Sequence, residues 1–286
     1  MLFRFFALLL GLGLSLSVFT AAQPLTITVR ANSVPVQAAP RPQIEAQETE
    51  VKLTVADSLD LDLMQATPLK PGDTVVILHT NMGDITLRFF PEEAPLAYEN
   101  FVTHARNGYY DGVIFHRVID NFMIQGGDPK GTGTGGESIW GYGFGPEFSR
   151  YLRHFRGALA MAQSALPNSI GSQFYIVQNS ELDPRIQDEL EFLLDNQDRV
   201  LGMDADGNNV YVRDFFPTDK LYAYIRYGGT PHLDLVFNRA GHTVFGQVIE
   251  GMDIVDAIAT VDVGANGRPI TEVIIVRVSV EVYGEE

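Results

Sequence analysis

The sequence predicts a mainly β domain, an antiparallel barrel or sandwich, interrupted by a largely helical insertion. Three observations predict it. Short runs such as "DTVVILHT", "DITLRFF", "SQFYIVQ" and "VIIVRVSVEV" are rich in β-branched and aromatic residues and are bounded by turn signals. Outside the insertion only two or three stretches carry a helical period, too few for the strand–helix alternation of a parallel sheet. Residues 179–231 then change character, with 11 acids, five bases and apolar residues at helical spacing.

The chain has 286 residues, 45% of them hydrophobic, which is enough for a real core. A formal net charge of −16 argues against nucleic-acid binding, whose footprint is basic. With no cysteine, disulfides and thiolate metal sites are excluded.

Taken in order, residues 1–22 pair one early arginine with an apolar run and end on Thr20-Ala21-Ala22, the pattern of a secretory signal. Export to a periplasm or beyond is expected, with membrane attachment only if the segment stays uncleaved. Residues 23–72 read as an extension or linker in which "PLTITVR" and "VKLTV" form short strands. The compact domain spans 73–283. "NMGD" turns a hairpin between the first two strands. A helix follows with Leu96, Phe101 and Ala105 on one face, stopped at Asn107-Gly108. In "FHRVIDNFMIQGGDPKGTGTGG", alternation puts Arg117 on one face with Phe115 and Ile119. "GTGTGG" matches a dinucleotide fingerprint, but no helix follows, so it reads as a flexible loop. In the insertion, Asp183 caps a helix begun by Pro184, and Leu182, Ile186, Leu190, Leu193 and Leu194 share its apolar face. "TDKLYAYIRYGG" is a second helix with a Gly228-Gly229 stop. "DADGNN" lacks the glycine and glutamate of a calcium loop and reads as a turn. The last helix carries Ile254, Ala257, Ile258 and Val261 as its stripe. The six histidines lack metal-ligand spacing, and no G-x-S-x-G elbow is present.

Three motifs, "FHRVIDNFMIQGGDPKGTGTGG", "MAQSALPNSIGSQFYIVQ" and "HTVFGQVIEGMDIVDAI", together resemble the cyclophilin family of peptidyl-prolyl cis–trans isomerases. The resemblance covers about 150 residues in the family's order. It implies a closed eight-stranded antiparallel barrel capped by two helices, with a groove on its outer face and no cofactor or metal. It places the catalytic arginine at Arg117 and its supporting glutamine at Gln125. It places proline-pocket and peptide contacts at His116, Phe122, Met123, Ala162, Gln163, Ser164, Gln173, Tyr175, His232, Leu233 and His242. Phe237 is an alternative for the aromatic wall. Tyr175 stands where the family has phenylalanine, and the family's groove tryptophan is missing. The implied partners are proline-containing peptides and folding proteins. The other reading is a non-catalytic proline-peptide-binding or chaperone module on the same scaffold.

Overall fold

The structure, a computed structural model, describes residues 63–203, 206–234 and 241–284. The signal segment, the two N-terminal strands and Phe237 lie outside them. Eight strands form one antiparallel sheet: β1 (Thr74–Thr80), β2 (Gly83–Phe89), β3 (Arg117–Ile119), β4 (Met123–Gly126), β5 (Ala158–Met161), β6 (Phe174–Val177), β9 (Val244–Glu250) and β10 (Ile275–Val282). Their order is β10-β1-β2-β9-β5-β6-β4-β3. The chain leading into β3 meets the chain leading into β10. The Phe115 N–H donates to the Val273 carbonyl at 2.9 Å, and the Ile275 N–H donates to the Val113 carbonyl at 2.8 Å. With the Ile114–Ile274 bridge, these bonds join the two edges of the curled sheet and close the ring.

The barrel interior holds Val76, Leu78, Ile85, Leu87, Val118, Ile124, Leu159, Phe174 and Phe245. Helices α1 (Pro95–Arg106) and α5 (Met252–Ala259) complete this core. Phe101 of α1 lies 5.0–5.5 Å from the rings of Tyr110, Phe174 and Phe245. Leu96, expected on the same face, is 41% exposed, and Ala97 and Val102 are buried instead. Leu96 lies in the first turn of the helix, where its N–H and that of Ala97 donate to the Glu147 carboxylate at 3.1 and 2.9 Å. In α5 the buried residues are Val255, Ile258 and Ala259, while Ala257 is exposed.

β5 and β6 are buried at every position. Leu159, Met161, Phe174 and Ile176 point into the barrel; Ala158, Ala160, Tyr175 and Val177 point out into a second apolar cluster. Covering both faces removes the polar alternation and gives the continuous runs "ALAM" and "FYIV".

Between β6 and β9 lies the insertion: α2 (Pro184–Asp195), a β7–β8 hairpin (Val200–Met203 and Asn209–Tyr211), the short α3 (Val212–Phe215) and α4 (Thr218–Tyr227). The hairpin carries no clear alternation and was not expected. Asp183 caps α2 by accepting from the Arg185 N–H. Leu190, Leu193, Val212, Phe216, Leu221 and Tyr224 make its core, together with Phe155 and Leu63 from outside the insertion. Gly228, at φ 78°, ends α4. A Cβ at Gly229 would sit 2.4 Å from the His154 carbonyl oxygen, so only glycine permits the insertion's close return to the barrel. Residues 63–72, the described part of the extension, lie on the domain. Leu63 is buried, and Gln65 donates to the Arg153 carbonyl at 3.0 Å and the Gln247 side chain at 2.9 Å.

Candidate active site

The site grows from one rung of the sheet. Arg117 opposes Gln125, Gln125 opposes Tyr175, Tyr175 opposes Ala160, and Ala160 opposes Val244. Directly opposed residues share a face, so this rung projects its side chains outward side by side. The next rung adds Ile119, Met123 and Val177. Alanine at 160 and 162 leaves room between larger neighbours. The result is a cleft of about 290 Å³ lined by Arg117, Phe122, Met123, Gln125, Ala162, Gln163, Tyr175, Leu233 and His242.

Arg117 is exposed, whereas Phe115 is buried in the barrel. Arg117 therefore shares the outer face with Ile119 but not with Phe115. Phe115 and His116 are both buried, so the period-two pattern breaks just before β3 begins. The guanidinium donates to Gln125 Oε1 at 3.3 Å. Gln125 Nε2 donates to Gln173 Oε1 at 3.0 Å, and Gln173 Nε2 donates to the Gly135 carbonyl at 2.8 Å. This chain has one consistent direction and ends on a backbone carbonyl. It fixes the arginine's orientation while leaving further guanidinium donors toward the cleft. Among the described residues no carboxylate forms an ion pair with Arg117.

The Gly135 carbonyl is held by an anchor that the sequence reading missed. Asp128, fully buried, accepts from the N–H groups of Lys130, Thr132, Gly133 and Gly135 and from the Thr132 hydroxyl, at 2.7–3.1 Å. Burial alone would raise its carboxyl; the hydrogen bonds outweigh that and hold it at about 2. "GTGTGG" is thus a loop wrapped on a carboxylate, not a flexible one. The signal was the aspartate three residues before a run of glycines, the composition of a backbone nest.

Apolar walls enclose the rest. His232 stacks on Phe122 at 5.7 Å, and Leu233 follows it in the turn Pro231–Leu233. His242 meets Tyr175 edge-on at 5.6 Å. Burial, and then the neighbouring His154, push its imidazole down to about 4, so it is neutral near pH 7. Gln163 Nε2 donates to the Gly241 carbonyl at 2.7 Å. Nine of the thirteen expected site residues line the cleft. Gln173 sits behind it as the support of Gln125, and His232 stands behind Phe122, lining the adjoining groove. Ser164 is exposed in the next turn, paired with Ser169. His116 does not reach the cleft: it is 7% exposed, lies against Gly133, and has neither ring nitrogen hydrogen-bonded.

The fold and the site together define an antiparallel β protein whose curled sheet presents a solvent-facing arginine beside an apolar slot. The family model described as "Cyclophilin type peptidyl-prolyl cis-trans isomerase/CLD" matches residues 75–280. Relatives from Staphylococcus epidermidis and Staphylococcus aureus, each with peptidyl-prolyl cis-trans isomerase in its name, are 45% identical over 213 residues, 74% of this chain and 94% of theirs. A crystal structure of a Cryptosporidium parvum cyclophilin-type peptidyl-prolyl cis-trans isomerase superposes with a TM-score of 0.52 at 28% identity, covering 73% of this chain and 98% of that one. The same parasite protein was also crystallised in the presence of the dipeptide Ala-Pro. The chain belongs to the cyclophilin-type peptidyl-prolyl cis–trans isomerases.

Proposed function

We propose that the protein is exported and assists the folding of proteins outside the cytoplasm, binding proline-containing segments in the cleft and turning their X–Pro bonds with Arg117. Amide resonance makes that rotation slow, with a barrier of roughly 18–20 kcal/mol. In the twisted transition state the prolyl nitrogen regains a lone pair. Arg117 donates to that nitrogen, an interaction the planar isomers lack, so the stabilisation is differential. A guanidinium suits this because it stays charged and holds its donors in a rigid fork. Phe122, Met123, Tyr175, Leu233 and His242 grip the proline ring, while Ala162 and Gln163 hold the flanking peptide. Lowering the barrier by about 8 kcal/mol speeds rotation about a million-fold.

The observation that carries this reading is the cleft lining, in which Arg117 is exposed beside five apolar or aromatic walls and braced by Gln125. The early arginine, apolar run and small residues of positions 1–22 support export. Isomerisation of a proline tetrapeptide by wild type and by Arg117→Ala tests the catalytic part, with a loss of about 100-fold or more in kcat/KM expected. Full activity in the variant would refute the assignment. Suppression of client aggregation that survives the same substitution would favour the binding-module reading. For export, the intact mass of the protein recovered outside the cytoplasm should correspond to cleavage near Ala22.

A further inference from the structure

Behind the cleft floor runs a chain of buried polar side chains of which the proposed chemistry uses only the Tyr175 ring. Tyr175 Oη and His154 Nε2 are 2.9 Å apart, and His154 Nδ1 and Asp234 Oδ1 are 2.7 Å apart. The Tyr224 hydroxyl donates to Asp234 Oδ2 at 2.6 Å, and the His154 N–H donates to Asp234 Oδ1 at 3.2 Å. Arg153 Nε adds an ion pair to Asp234 at 3.6 Å. Tyr175, His154, Asp234 and Tyr224 are each under a tenth exposed. An ionised carboxylate only accepts, so His154 Nδ1 carries the proton. Nε2 and the Tyr175 hydroxyl share the remaining hydrogen bond of the ring. Every bond made to the Asp234 carboxylate therefore has a fixed sense.

Its members come from separate places around the cleft. Tyr175 is the floor. Asp234 directly follows Leu233, a wall of the same cleft, and its N–H donates back to the Pro231 carbonyl at 3.1 Å. Tyr224 is on α4, inside the insertion. The hydroxyl of Tyr175 is held by His154, which leaves the ring as the surface offered to the cleft. We propose that His154, Asp234 and Tyr224 are positioning residues that fix the distance between the Tyr175 floor and the Leu233 wall, and that the insertion thereby sets the affinity of the cleft for the proline ring. This rests on the cleft being the prolyl site.

The test measures kcat and KM separately for a proline tetrapeptide with the full chain and with Tyr224→Phe, Tyr175→Phe and the double variant. Each substitution removes one oxygen and keeps the ring. KM should rise about 3- to 10-fold in Tyr224→Phe with kcat within about twofold, because a uniform binding contribution is lost. The double variant should be less affected than the product of the singles, since both act through His154 and Asp234. A wild-type KM in Tyr224→Phe, with or without a lowered melting temperature, makes the chain ordinary core and overturns the proposal; so does strict multiplicativity. Should the variants fail to fold, the unmutated protein still decides: the His154 ring nitrogen resonances should move when the peptide is added, and unmoved resonances count against it. Retained turnover in Arg117→Ala would instead remove the prolyl reading of the cleft itself.

Discussion

Arg117 has its orientation set by two glutamines and a carbonyl, which makes the outermost support measurable. Gln173→Ala removes the acceptor of Gln125 Nε2 and the link to Gly135 but touches neither the arginine nor the apolar walls. The loss of one neutral hydrogen-bonded link is worth about 1 kcal/mol, so kcat/KM should fall about 5-fold with the melting temperature little changed. An unchanged kcat/KM would mean that Gln125 orients the guanidinium alone. His242 gives a pH signature. Its folded value of about 4 lies below its ordinary 6.5. Between these values the unfolded chain binds the proton and the folded chain does not, so stability is full above pH 6.5 and is lost as pH falls toward 4. The shift corresponds to about 3 kcal/mol. Denaturant unfolding at pH 7 and pH 4.5 should show a smaller difference for His242→Gln than for wild type; equal differences would contradict it. At this scale it was legible that Arg117, Phe122, Met123 and Gln125, close together in one motif, would line one cleft. The place of His116 was not: alternation does not reveal that the strand starts one residue later, with His116 folded under a loop.

The loop from Asp128 to Gly136 joins the residue scale to the next, because a carbonyl that steadies the site is only as fixed as the element carrying it. Asp128→Asn keeps the shape but gives up the charge that four N–H groups and a hydroxyl converge on. Hydrogen bonds to a charged group contribute about 1.5–3 kcal/mol, so the variant should unfold about 2–3 kcal/mol more easily at pH 7. The carboxyl's folded value of about 2 lies below 3.8. Its contribution is therefore present above about pH 4 and disappears as pH falls through 2. The two proteins should converge in stability in that window, and a constant gap down to pH 2 would contradict the account. Activity should fall alongside, through Gly135 and Gln173. Elements with one wet face, such as β1, β2 and β10, were readable from their alternation. β5 and β6 were readable as strands but not as to which face builds the site, because both faces are buried. The rung that aligns Arg117, Gln125, Tyr175 and Ala160 depends on register across four strands, which a linear sequence does not display.

At the scale of the molecule the question is whether the insertion is a passenger or part of one cooperative unit. Its composition suggests a separate acidic module, but its apolar core includes Phe155, next to β5, and Leu63, from the segment before β1. Tyr224 rests on Phe155 at 4.7 Å and also reaches Asp234. The Gly229 backbone bridges to Phe155, and the Thr230 N–H donates to the His154 carbonyl at 2.8 Å. Two units that share a core and a buried hydrogen-bonded chain lose both together, so residues 63–284 should unfold in a single transition. Leu190→Ala makes the point quantitatively, since Leu190 is 1% exposed and far in sequence from the cleft. A leucine-to-alanine change in such a site costs about 2–5 kcal/mol. If the unit is cooperative, that cost appears in the unfolding midpoint reported by Trp140, which packs against Phe144 of the barrel rather than in the insertion. If the insertion is a passenger, the variant shows an early transition in far-ultraviolet circular dichroism while Trp140 fluorescence keeps its wild-type midpoint. Coincident, equally shifted curves are the expected result. They would also explain why a chain starting at Asp73, lacking Leu63 and the Gln65 bonds to Arg153 and Gln247, should melt below one starting before Leu63.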